Sequence, residues 1–309
     1  MNKILVTGGA GFIGSHLAEY LSQRNKVVVI DKLMHGNKIL NINKNINLVK
    51  GDVRDYDLVK KYSKNCSTII HLAAILGVDV VSDRNLETME CEFEGLKNVC
   101  EAAKKNNVKK IIYSSSSGVY GKLNYKFNVK EDDTVAPVSA YAIAKRSAEL
   151  YLQNFYIDTK ITSIAVRLFN VYGPRQDERM VISRFINQAF KNKDLTVYDT
   201  GNQTRDFTYI DDCVRVFDLL NNKVNGFQIL NSSKGSELNI NELAKKILKQ
   251  IKSKSKIKHI KVPKKLDEFQ VIRRCGNSSK LFNLIKYKPI TKLEYGLKKT
   301  IIDYLSNNK

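Results

Sequence analysis

Residues 3–31 read KILVTGGAGFIGSHLAEYLSQRNKVVVID: an apolar run, a glycine cluster, a helical pattern, then a second apolar run ending in an acid. No other stretch constrains the fold as strongly. Short apolar runs joined through a helix imply parallel strands and a right-handed crossover. Gly8, Gly11 and Gly14 are spaced G-x-x-G-x-x-G. The first lets the strand turn sharply, the second lets a pyrophosphate approach bare backbone, and the third lets the helix pack closely on the sheet. A helix N-terminus there offers free N–H groups to phosphate charge. Asp31 stands 20 positions after Gly11, placed to accept hydrogen bonds from a ribose diol. An acid at that point favours NAD over NADP, because it would repel a 2′-phosphate.

The rhythm continues through the first half. KILVT, KVVVI, INLVKG, TIIHLA, KKIIYSS and ITSIAVRL read as strands, and residues 12–24, 84–106 and 139–157 read as helices. The expected fold is α/β, a doubly wound parallel sheet of the Rossmann type, with a smaller α/β substrate-binding lobe. We divide the chain into residues 1–172 and 173–309, with 205–231 returning to the first unit. VISRFINQAFKN reads as a short helix, LTVYD and GFQILN as strands, DFTYIDDCVRVFDLL as a strand running into a helix, and the tail as an amphipathic helix.

Composition narrows the function classes. Lys plus Arg outnumber Asp plus Glu by 52 to 31, a net charge of +21. A nucleic-acid binder carries that sign. Here, however, the lysines gather at helix ends and loops without interleaved aromatics that stack bases. We therefore read a charge bias over solvated faces, in a protein that handles an anionic small molecule and no nucleic acid. The densest run, Lys252 to Lys265, alternates with Ile and Val and reads as the exposed face of a strand. No apolar run reaches the ~20 residues of a membrane span, and no secretory signal pattern opens the chain. Five scattered cysteines and four histidines show no metal-ligand spacing; the expectation is reduced thiols, no metal and a cytoplasmic location.

Two stretches carry chemistry. Tyr141 and Lys145 stand i, i+4 on an expected helix and so share a face. An ammonium near a phenol lowers its pKa, which is how tyrosine becomes a general base. Such a pair alone is common on helix surfaces. It gains weight from Ser114–Ser117, which close the fifth strand, because ligands in open α/β sheets collect at strand carboxyl ends.

At this point the chain resembles the extended short-chain dehydrogenases/reductases of the sugar-nucleotide epimerase and dehydratase group, and among them the UDP-glucose (galactose) 4-epimerases. The resemblance runs in order through TGGAGFIGSHL, DKLMHGN, GDVRD, IIHLAA, SSSSGVYG, YAIAK, RLFNVYGPRQ and QTRDFTYIDD, then more faintly through RRCGNSSKL and EYGLKKTI. It implies Phe12, Ile13, Lys32, Asp52, Val53, Leu72, Ala73, Ala74 and Ser114 as cofactor contacts beside the glycines, Asp31, Tyr141 and Lys145. Ser116, Tyr141 and Lys145 fall on the group's catalytic trio. Ser116, Ser117, Asn170, Arg205 and Arg274 fall on groups that hold a nucleotide-diphosphate sugar. The resemblance further implies a homodimer built on the two long helices. Three positions depart from the usual pattern: Lys32 and Glu92 where Asn is common, and Asn277 where Asp is frequent. Dehydratases and decarboxylases of the group carry an acid just before VYG, and some epimerases a cysteine; here stand Ser117 and Gly118. The expectation is transient oxidation and epimerisation at C4. Net 4-oxidation or reduction, another epimerisation, and a non-enzymatic dinucleotide- or nucleic-acid-binding role are the alternatives.

Overall fold

A computed structural model describes residues 1–75, 85–122, 127–264 and 270–307. Strands β1 (Lys3–Thr7), β2 (Lys26–Asp31), β3 (Ile46–Lys50), β4 (Thr68–His71), β5 (Lys110–Ser116) and β6 (Thr162–Leu168) sit where the apolar runs lie. With β11 (Phe227–Ser232) they form a seven-stranded sheet in the order β11-β6-β5-β4-β1-β2-β3. Every pairing in it is parallel. Strand order reverses between β1 and β4, which opens a crevice at their carboxyl ends where open α/β sheets take ligands.

Helices α1 (Phe12–Ser22), α2 (Tyr56–Ser63), α3 (Asn85–Lys105) and α4 (Ala140–Thr159) connect these strands. The strands are mainly apolar because both faces of the sheet are covered. One core, around Ile4, Val6, Val29 and Ile70, lies between the sheet, α1 and the C-terminal half. The other, around Leu5, Ile69, Leu96 and Val99, lies under α2, α3 and α4. Position 84, the first residue of the expected long helix, lies outside the described residues.

After β7 (Val171–Tyr172) come α5 (Val181–Phe190), β8 (Leu195–Tyr198), β9 (Thr204–Asp206), β10 (Thr208–Tyr209) and α6 (Ile210–Lys223). Beyond β11 follow β12 (Glu237–Asn239), α7 (Ile240–Ile251), β13 (Ile257–Ile260), β14 (Arg273–Arg274), α8 (Ser279–Ile285) and α9 (Leu293–Asn307). These elements add a β12-β9-β14 sheet and the pairs β10-β7 and β13-β8. Among the described residues of the lysine-rich run, the one strand is the four-residue β13. Its Ile257 and Ile260 are half-buried and Lys258 and His259 exposed, so a regular two-residue alternation does not hold. Among the described residues no helix is long and apolar enough to cross a membrane.

Candidate active site

β1 ends at Thr7 and the chain turns at once through Gly8, whose φ is +68°. A Cβ at Gly8 would stand 2.6 Å from the Ala73 amide nitrogen. At Gly14 it would overlap the Gly8 carbonyl and the Gly9 backbone. Helix and strand therefore meet without side chains between them. Gly11 is the N-cap of α1 and no side chain caps that end, leaving the first-turn amides open toward phosphate.

A cavity of about 600 Å³ runs from this turn across the sheet. Gly8, Gly11, Phe12, Ile13, Gly14, Asp31, Lys32, Asp52, Val53, Leu72, Ala73, Ala74 and Ser114 all line it, as do Ser116, Ser117, Tyr141, Lys145 and Asn170. Asp31 closes β2; its carboxylate accepts from the Ala10 amide at 3.0 Å and the Leu33 amide at 2.8 Å, which fixes its direction. Lys32 reaches Asp52 at 3.0 Å, and Arg54 grips the same carboxylate at 2.7 Å. Asp52 gains more from its bonds to Arg54 and Lys32 than it loses by burial, and its pKa is held well below the usual carboxylate range. Bare glycine backbone, an uncapped helix end and a fixed acid suit the pyrophosphate and ribose of a dinucleotide.

At the other end, β5 delivers the serines. Ser114 donates to the His71 carbonyl at 3.2 Å, and Ser115 turns away to Glu149 at 2.6 Å. Ser116 accepts from the Gly118 amide at 3.0 Å and so caps the short 3₁₀ turn over Ser117–Tyr120. Ser139 caps α4 by accepting from the Ala142 amide at 3.1 Å. The first turn of α4 then projects Tyr141, and the next Lys145, into the cavity with Ser116.

One expectation needs correction. Lys145 is expected to lower the Tyr141 phenol pKa, and its ammonium lies 5.4 Å from that ring. In the structure the pKa is nevertheless raised: burial outweighs the pull of Lys145, Glu92 pushes it further up, and a hydrogen bond with Ser116 pulls it back only in part. Lys145 is itself shared, 2.9 Å from the Glu92 carboxylate.

Arg205 and Arg274 are not brought to the cavity wall. The Arg205 guanidinium donates to the Thr204 and Val271 carbonyls at 2.7 and 2.8 Å, and burial pulls its pKa down to about 10. Arg274 donates to the Ser117 carbonyl at 2.6 Å and the Gly121 carbonyl at 2.5 Å, bracing the turn that carries Ser117. Asn170 lines the cavity while donating to the Asp206 carbonyl at 3.3 Å. The sequence reading passed over His35, Lys38, Gln176, Asp177 and Arg179, which also line it. Arg179 and His35 meet at 3.1 Å, and Lys38 and Asp177 at 3.6 Å. These pairs bridge loops some 140 residues apart, a proximity no local pattern announces. Of the stretch DEFQVIRRC, an expected contributor to substrate preference, residues 267–269 lie outside those described.

Comparison with known proteins agrees with this geometry. The chain is 36% identical over 312 residues to a UDP-N-acetyl-alpha-D-glucosaminuronate decarboxylase of Bacillus cytotoxicus, covering 97% of this chain and 96% of the relative. It is 34% identical over 311 residues to a putative UDP-glucose 4-epimerase of Methanocaldococcus jannaschii, covering 99% of each. Its fold matches a UDP-N-acetylglucosamine 4-epimerase of Methanobrevibacter ruminantium, solved with UDP-N-acetylmuramic acid, at a TM-score of 0.93 and 32% identity, covering 99% of each chain. Residues 4–231 match the profile of one family. With a dinucleotide cradle at one end of the cavity and a Ser-Tyr-Lys group at the other, the chain belongs to the NAD dependent epimerase/dehydratase family.

Proposed function

We propose that the protein is an NAD-dependent 4-epimerase of a nucleotide sugar, with a UDP-hexose as substrate. The observation that carries this reading is the convergence of Ser116, Tyr141 and Lys145 on the wall of one cavity with the glycine turn and Asp31. Ser117 and Gly118 stand where the resembling dehydratases and decarboxylases carry an acid. A glycine cannot take a proton from C5, and this favours chemistry confined to C4.

Bound NAD supplies the acceptor, and on return the donor, for the hydrogen at C4. Tyr141 takes the proton of the C4 hydroxyl and later gives it back. Ser116 steadies that oxygen from β5, and Lys145 holds the cofactor ribose and stabilises the phenolate. The 4-keto sugar turns within the cavity between the two transfers, tethered by its diphosphate. Lys38 and Arg179 at the wall supply positive charge for that tether, and Arg274 acts on it indirectly, through the Ser117 turn. The N-terminal unit, to about residue 172, holds the cofactor, and the remainder mainly the sugar nucleotide. Cys66, Cys91, Cys100, Cys213 and Cys275 are buried and unbridged, which suits the reducing cytoplasm in which we place the protein. We also assign it a homodimer through α3 and α4.

The test is Tyr141→Phe. Loss of the general base lowers kcat by about 10²–10⁴-fold; retained turnover refutes the reading. Product NMR with a panel of nucleotide sugars identifies the substrate. Accumulation of stoichiometric NADH would instead mark a net dehydrogenase.

A further inference from the structure

Lys145 does not face Tyr141 alone. Its ammonium lies 2.9 Å from Glu92 Oε1 on α3, with the two side chains only 1% and 0% exposed. The other Glu92 oxygen accepts from the Tyr113 hydroxyl at 2.7 Å. Tyr113 stands on β5, and its ring lies 4.5 Å from the same ammonium. Three elements thus close one buried knot directly beneath the Ser-Tyr-Lys group.

The charges around the phenol can be named. From its own helix comes Lys145, from α3 Glu92, and from β5 the neutral hydroxyls of Ser116 and Tyr113. On β4, His71 is kept neutral by burial and by Lys145, its pKa lowered to about 3. Burial likewise raises the Tyr113 phenol pKa, with Glu92 adding to it, so that hydroxyl stays a donor to Glu92. One cation and one anion therefore act on Tyr141, and they touch each other. A carboxylate in contact with an ammonium cancels much of its field at a third group.

We propose that Glu92 is a positioning residue that anchors Lys145 and sets the pH at which Tyr141 gives up its proton, a claim that rests on Tyr141 being the base. Neither Lys145 Nζ nor Glu92 Oε1 has a hydrogen-bond partner among the described residues. Their contact at 2.9 Å is an ion pair that holds the ammonium in place. The carboxylate acts on the phenol by its charge and through the lysine it holds.

The experiment is a titration of holoenzyme carrying ¹³Cζ-labelled tyrosine, without substrate, with the Tyr141 resonance assigned by its loss in Tyr141→Phe. Glu92→Gln keeps an acceptor for Tyr113 and removes the charge. The Tyr141 midpoint then falls by about one pH unit or more, and the acid limb of kcat/KM against pH moves with it. Glu92→Asn is the second neutral variant, should Glu92→Gln not fold. Glu92→Asp keeps the charge and brings the midpoint back toward the wild-type value; this outcome decides the matter if both amides fail to fold, because a midpoint as low as one pH unit below wild type there refutes a role of charge. An unmoved or raised midpoint in a folded amide variant overturns the proposal. Because the midpoint is read without turnover, its failure is separate from that of the epimerase reading, which falls only if Tyr141→Phe stays active.

Discussion

Arg167 is a buried cation whose anion lies on another element. Its guanidinium grips Glu149 of α4 through Nε at 2.8 Å and Nη2 at 2.9 Å, and donates through Nη1 to the Tyr120 hydroxyl at 2.9 Å. Glu149 also accepts from Ser115 at 2.6 Å and Arg146 at 2.9 Å. This network pins α4, the carrier of Tyr141 and Lys145, to β5, the carrier of Ser116. Glu149→Ala strands the guanidinium in the core and is expected to lower unfolding stability by about 3–5 kcal/mol, read from urea denaturation. Replacing both partners with apolar residues is expected to cost less. Tyr141, Lys145 and Ser116 were legible in the sequence because a four-residue helical spacing and a strand end fix where such side chains point. Arg167 and Glu149 were not, since a pair 18 residues apart exists only after a strand and a helix have packed.

Among elements, α4 carries a feature its site does not use. Ile143, Leu150 and Ile157 are exposed at seven-residue intervals, and Phe93 is exposed on the neighbouring α3. Residues seven apart fall on one helical stripe, and an apolar stripe on a surface helix wants cover. In the homodimer we propose, the same helices of a second copy would supply it. Leu150→Lys is expected to shift sedimentation from dimer to monomer while leaving the circular-dichroism spectrum unchanged; a variant that stays dimeric removes α4 from the interface. The main-sheet strands were readable because parallel strands covered on both faces are continuous apolar runs. β9, β12 and β14 were not, being two or three residues each, TRD, ELN and RR, half-buried apart from the buried Asp206, whose pairing depends on distant chain.

For the whole molecule, three groups with large shifts, the half-buried His16 and the buried His71 and Asp206, dominate stability between pH 7 and pH 5. His16 is kept neutral to about 4 by burial and by Arg175, and His71 to about 3 by burial and by Lys145. Unfolded histidines protonate near 6.5, so below that pH the unfolded chain binds more protons and stability falls as the medium is acidified. Burial raises Asp206 to about 6, which works the other way between its ordinary value and that point. Two imidazoles against one carboxyl leave a net loss. The urea midpoint is expected to drop between pH 7 and pH 5, and to drop less in His16→Gln. The order of apolar runs and glycines by itself determines a dinucleotide-binding sheet, because strand burial, helical spacing and a side-chain-free turn are local demands that a sequence states outright. Only the packed chain decided that Lys145 answers to Glu92 as well as to Tyr141, that two predicted arginines stand back from the cavity, and that loops far apart in sequence form its wall. Charge acts through space, and the distances it depends on are set by how helices and strands come to rest on one another.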